Sequence, residues 1–167
     1  ILMTITSISF AETLNFKGLV IEGFWIKPSI GNHKMTSGYL KIKNTNNRDE
    51  RLISVVSDFS KKSELHEMAV KNDIMTMKKL DNGLTIRAGS EIHLKPGGYH
   101  LMFINLNDQV KIMNNYKVNL IFKNSGSLTI DMPVLEKKFK KVLIFRHLEN
   151  QLALHLPKLS ILELLEW

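Results

Sequence analysis

Between Lys17 and Val134 the chain is a succession of short apolar or alternating runs, each cut off by turn-forming residues. No stretch repeats apolar residues at helical spacing for long enough to make a helix. The runs predict strands at Leu19–Ile26, Gly38–Asn44, Arg51–Ser57, Lys62–Met68, Asp73–Lys79, Leu84–Ile86, Glu91–Leu94, Tyr99–Asn105, Tyr116–Lys123 and Leu128–Pro133. Between them lie Lys27-Pro-Ser-Ile-Gly31, Asn44-Thr-Asn-Asn47, Asp81-Asn-Gly83, Lys95-Pro-Gly-Gly98 and Asn124-Ser-Gly126, all rich in residues that tolerate turn geometry. Strands at intervals of roughly 8–12 residues predict an all-β Greek-key sandwich or small barrel.

The two ends differ from this middle. Residues 1–11 are apolar and small and close on Ser9-Phe10-Ala11, which reads as the remnant of a secretory signal peptide with maturation at Glu12; the competing reading is a first buried strand. From residue 136 onward a lysine cluster is followed by Phe139, Val142, Phe145, Leu148 and Leu152 at helical intervals. Pro157 and the Ile161–Leu165 run come after them, so residues 136–167 are expected to be a basic, amphipathic, broken helical extension. Residues 12–135 are left as one domain, and an apolar content of 44% is enough to build its core. No run has the 18 or more apolar residues of a membrane span, so no integral membrane protein is expected.

The net charge of +7 raises nucleic acid as a partner, but the lysines are scattered in pairs and lack interleaved aromatics. Nucleic acid is therefore excluded, leaving a modest basic field able to steer toward an acidic partner. Enzyme chemistry finds no foothold either: there is no G-x-S-x-G and no H-E-x-x-H, the nearest run being His66-Glu67-Met68.

The donor set is more telling. The chain has no cysteine, yet four methionines and three histidines crowd into residues 66–102. Side chains at i and i+2 of a strand share a face, so His66 with Met68, Met75 with Met77, and His100 with Met102 form three same-face pairs. Imidazole plus thioether is the donor set preferred by soft Cu(I), whereas zinc favours thiolate or several imidazoles and calcium favours oxygen. His66, Met77, His100 and Met102 are the candidate ligands, with Met68 and Met75 as auxiliaries. Met35, Met113 and Met132 are read as core filler. His33 and His93 are read as surface residues, and His147 and His155 in the tail as improbable metal contacts.

The segments Glu64-Leu-His66-Glu-Met68, Ile74-Met-Thr-Met77 and Leu94-Lys-Pro-Gly-Gly-Tyr-His100-Leu-Met102 resemble the periplasmic copper chaperone family often called PCuAC. Its motif is a histidine, ten residues, a methionine, about twenty-one residues, then His-x-Met. Here ten residues separate His66 from Met77 and twenty-two separate Met77 from His100, the extra one falling most easily at Asp81-Asn-Gly83. Gly23-Phe-Trp25 and the strand Ser37–Asn44 resemble the family's early tryptophan and tyrosine-containing strand.

The resemblance covers about residues 18–134 and implies a cupredoxin-like Greek-key β-sandwich holding Cu(I) at an exposed edge through His66, Met77, His100 and Met102. It further implies a monomeric periplasmic metallochaperone, not an enzyme, whose acceptor is the copper centre of cytochrome c oxidase subunit II, directly or through a Sco-type thiol protein. Blue-copper electron transfer is excluded independently, because it requires a cysteine thiolate. The alternative is an exported β-sandwich binding or structural module whose methionines are packing.

Overall fold

A computed structural model describes residues 13–71 and 74–136. The signal-peptide reading of residues 1–11 and the helical reading of the tail beyond Glu136 lie outside the described residues. Within them the chain forms strands and no helix: β1 (Thr13–Phe16), β2 (Leu19–Ile26), β3 (Met35–Asn44), β4 (Glu50–Ser57), β5 (Ser60–Lys71), β6 (Ile74–Lys79), β7 (Leu84–Ile86), β8 (Glu91–Leu94), β9 (Tyr99–Leu106), β10 (Asn115–Phe122) and β11 (Gly126–Pro133).

The strands divide into a seven-stranded sheet ordered β1-β2-β3-β8-β9-β5-β6 and a four-stranded sheet ordered β11-β10-β4-β7. Alternation decides which residues face inward. Leu19 and Ile21 on β2, Leu40 and Ile42 on β3, and Leu101 and Phe103 on β9 meet Leu52 and Val55 on β4 and Val118, Leu120 and Phe122 on β10 in a single core. The two sheets therefore make the expected all-β sandwich. Met132 belongs to this core and is fully buried. Met35 and Met113 do not, and the filler reading is corrected for both. Met35 starts β3 opposite Ile104, on the face turned away from the core, and Met113 sits 91% exposed with φ 68° in the turn before β10.

β1 is not among the strands expected from the sequence, because its hairpin turn is Lys17-Gly18. Both residues have positive φ (48° and 78°), which fits a two-residue primed turn, but lysine replaces the usual Asn, Asp or Gly at the first position. Buried Asn44 closes the far end of β3: its amide donates to the carbonyls of Arg48 (2.8 Å) and Ile86 (3.1 Å).

Between β6 and β7, Gly83 adopts φ +72°, and a Cβ built there would lie 2.3 Å from the Leu52 carbonyl oxygen on β4. Gly83→Ala should therefore cost about 3 kcal/mol, combining left-handed strain with displacement of a strand backbone. Gly89 has φ +66° and open space around it, so Gly89→Ala should cost only about 1 kcal/mol. Urea unfolding of the two variants checks the contrast.

The β8–β9 connection matters most for the site. β3 pairs with β9 along its first half (Met35–Gly38) and with β8 along its second (Leu40–Lys43). The intervening Lys95–Gly98 segment turns out of the sheet at the junction. Pro96 follows Lys95, Gly97 has φ +80°, and the Gly98 amide donates to the Lys95 carbonyl at 3.0 Å, the pattern of a type II turn.

Candidate metal centre

The strands carrying the three His/Met pairs are neighbours, β9-β5-β6, at one edge of the larger sheet. Leu65 and Leu101 point into the core, so the residues flanking them in sequence occupy the outer face. The antiparallel register arranges that face in rows. Met102 lies opposite Glu64, His100 opposite His66, His66 also opposite Lys79, and Met68 opposite Met77. The structure thus gathers these candidate side chains on a sheet face beside its edge strand.

His66 and His100 are brought directly together, with ring centroids 5.7 Å apart and planes tilted by 58°. The methionines flank them. Met102 follows His100 along β9, and Met68 follows His66 along β5, each diagonal to the other strand's histidine. Cβ atoms of such diagonal neighbours are typically about 7–8 Å apart, within reach of long side chains. Met77 is diagonal to His66 but two strands from His100, and is 53% exposed on β6. Met75 stands furthest out, opposite Val70 and 66% exposed. His93, on β8, is an exposed residue paired with Glu91 (2.8 Å), in agreement with its surface reading.

Each imidazole has one nitrogen fixed by an acceptor. His100 Nδ1 lies 3.0 Å from the Gly98 carbonyl, which also accepts the Met68 amide at 3.1 Å. A carbonyl can only accept, so Nδ1 of His100 carries the proton and a neutral ring leaves Nε2 with its lone pair. Burial favours that neutral ring, holding the His100 pKa below its usual value.

His66 is oriented the opposite way, with Nε2 2.8 Å from Glu64 Oε2. The bond from His66, then one from Lys62, lowers the Glu64 carboxyl pKa to about 2, so Glu64 is an ionised acceptor and Nε2 of His66 carries the proton. His66 Nδ1 is buried and has no hydrogen-bond partner. The Met102 sulfur accepts a weak hydrogen bond from Ser37 Oγ at 3.8 Å. On the same sheet, Trp25 and Tyr39 pair across β2 and β3 with ring centroids 4.7 Å apart.

Two opposed imidazoles, His100 buried and His66 partly so, flanked by thioethers, suit a soft cation and offer little to a hard one. Glu64, Lys79 and Ser37 join this face without being among the residues expected from the sequence. For Glu64 a cue existed: it stands two residues before His66 on the same strand and therefore on the same face.

Residues 19–134 match the LpqE-like family, described as putative lipoprotein LpqE-like. The chain belongs to that family. This LpqE-like chain is 29% identical over 117 residues to a putative lipoprotein, Lxx21020, of Leifsonia xyli subsp. xyli, a match covering 70% of the chain and 69% of the relative. Among solved structures it resembles the copper-bound PCuAC domain from PmoF2, with TM-score 0.63, 20% identity and coverage of 74% of this chain and 97% of that one. It also resembles the CuI-DR1885 solution structure from Deinococcus radiodurans, with TM-score 0.58, 19% identity and coverage of 76% and 83%. The LpqE-like chain thus has the fold of PCuAC domains, the cupredoxin-like sandwich expected from the sequence resemblance.

Proposed function

We propose that this LpqE-like chain is an exported Cu(I) metallochaperone whose domain, residues 12–135, holds the ion through His66, His100, Met102 and Met77, with Met68 and Met75 as auxiliary donors. The observation that carries the reading is the opposed imidazole pair, each ring pinned through one nitrogen and leaving the other available. Thioethers are neutral and displaceable, so they hold Cu(I) while permitting ligand exchange with a thiolate acceptor. The exposed Met77 side is where an incoming donor enters. The copper-bound relatives in fold support copper as the cargo. The lipoprotein description of the family and of the Leifsonia relative supports export, here assigned to the periplasm. Among the described residues no helix is long and apolar enough to cross a membrane.

The acceptor in this reading is the copper centre of cytochrome c oxidase subunit II, reached directly or through a Sco-type thiol protein. The function is delivery and not catalysis.

The test is an anaerobic Cu(I) titration of the whole chain against a chromogenic Cu(I) chelator. One tightly held equivalent is expected. Met102→Leu keeps the volume and should cost less than about 1.5 kcal/mol of stability, yet weaken Cu(I) binding by roughly tenfold or more. Failure of the wild-type protein to compete with the chelator would sink the reading and leave an exported binding module.

A further inference from the structure

The hydrogen bonds around His66 and His100 are not equivalent. We infer that His66 binds the metal through Nδ1 and His100 through Nε2, and that Glu64 is the positioning residue that enforces the first of these choices. This rests on the copper reading above.

His66 Nε2 is committed to Glu64 Oε2 at 2.8 Å, while its Nδ1 is buried and unpartnered. A buried nitrogen without a partner is costly to leave and calls for an occupant. His100 shows the reverse, with Nδ1 committed to the Gly98 carbonyl at 3.0 Å.

Glu64 is itself buried and held on its other side, with Oε1 2.9 Å from Lys62 Nζ and 3.5 Å from Lys79 Nζ. Its Oε2 is thus taken by the His66 ring N–H, and its Oε1 is held by the charge of two ammonium groups, without a well-aligned hydrogen bond to either. It orients a ligand and does not act as one. A carboxylate placed so as to fix the ring and raise the basicity of the distal nitrogen is the common outer partner of a metal-binding imidazole. The lysines have a second effect: by anchoring Glu64 they keep a hard oxygen donor away from the ion, which favours a soft monovalent cation over a divalent one.

Long-range proton–nitrogen correlation spectra of the 15N-labelled full chain test this directly. In copper-free protein near neutral pH, His66 should be protonated on Nε2 and His100 on Nδ1. One equivalent of Cu(I), added anaerobically, should shift Nδ1 of His66 and Nε2 of His100. Glu64→Ala should give a mixed His66 tautomer and lower Cu(I) affinity roughly ten- to a hundredfold. Glu64→Gln, whose amide oxygen can accept the same N–H, should restore the tautomer and most of the affinity.

A proton on His66 Nδ1, or a Cu(I) shift on His66 Nε2, would overturn the assignment while leaving copper binding intact. No shift on any imidazole would overturn both. Equal affinities for wild type and Glu64→Ala would remove Glu64 from the positioning role.

Discussion

His100→Ala should lower Cu(I) affinity by more than roughly a hundredfold, the equivalent of about 3 kcal/mol or more of binding free energy. The ring is the buried half of the opposed pair, so no neighbouring imidazole can substitute for it. The same change should leave the sandwich folded. The Gly98 carbonyl keeps the Met68 amide as a partner when the ring is gone, and the core residues Leu101 and Phe103 lie on the other face of β9. Competition against a Cu(I) chelator measures the loss, and urea unfolding confirms that folding survives. Met75→Leu, by contrast, should change affinity little, since Met75 stands a full row beyond Met77. If Met75→Leu proved as damaging as His100→Ala, the geometry assigned to the face would be wrong.

A large effect on stability is expected at Glu50, in the other sheet from the His/Met face. This buried carboxylate accepts five hydrogen bonds: from the Arg51 amide (2.8 Å), the Asn124 amide (3.0 Å) and side chain (3.2 Å), and the Ser125 amide (2.8 Å) and hydroxyl (2.7 Å). Together they tie the start of β4 to the β10–β11 turn. Glu50→Ala removes the acceptor from all five donors at once and should cost about 3 kcal/mol. Glu50→Gln should cost about 2 kcal/mol, because the new amide N–H faces donors on one side.

The same site predicts an acid limb. Burial alone would raise the Glu50 pKa, but the Ser125 hydroxyl and the Arg51, Asn124 and Ser125 amides more than offset it, and the pKa falls below its ordinary value. A carboxyl depressed on folding contributes stability that is fully present above its unfolded pKa and lost as pH falls through its folded one. Glu64, lowered to about 2, acts in the same sense. Stability measured by urea should therefore decline below the ordinary carboxylate range, and less steeply in Glu50→Gln. An identical acid profile in wild type and variant would refute the assignment.

Much of this architecture could be read from the chain because alternation and turn chemistry are local. The expected bounds of the Leu19–Ile26, Leu84–Ile86 and Glu91–Leu94 strands coincide with those observed. Where the reading fell short, a local rule was broken or a distant one was needed. Lys17 concealed the first hairpin by occupying a left-handed position that lysine seldom takes. Met35 and Met113 are exposed because their backbone positions, not their hydrophobicity, decide where they point.

At the metal face, periodicity identified which histidines and methionines share a side. It could not supply the register between β5 and β9, which sets His66 against His100 and depends on the order of strands in the completed sheet. Glu64 is not legible in the sequence for a chemical reason: a carboxylate does not belong to a soft donor set, and its part becomes visible only in its hydrogen bond to His66.

Along β9 the side chains alternate between two unrelated tasks, with Leu101 and Phe103 serving the interior and His100 and Met102 the outer face. β5 repeats the division with Leu65 between Glu64 and His66. Adaptation can therefore work on one task at a time: substitutions at alternate positions can retune cargo preference while the interior keeps its packing, and a lineage can discard or exchange its metal without inventing a new scaffold.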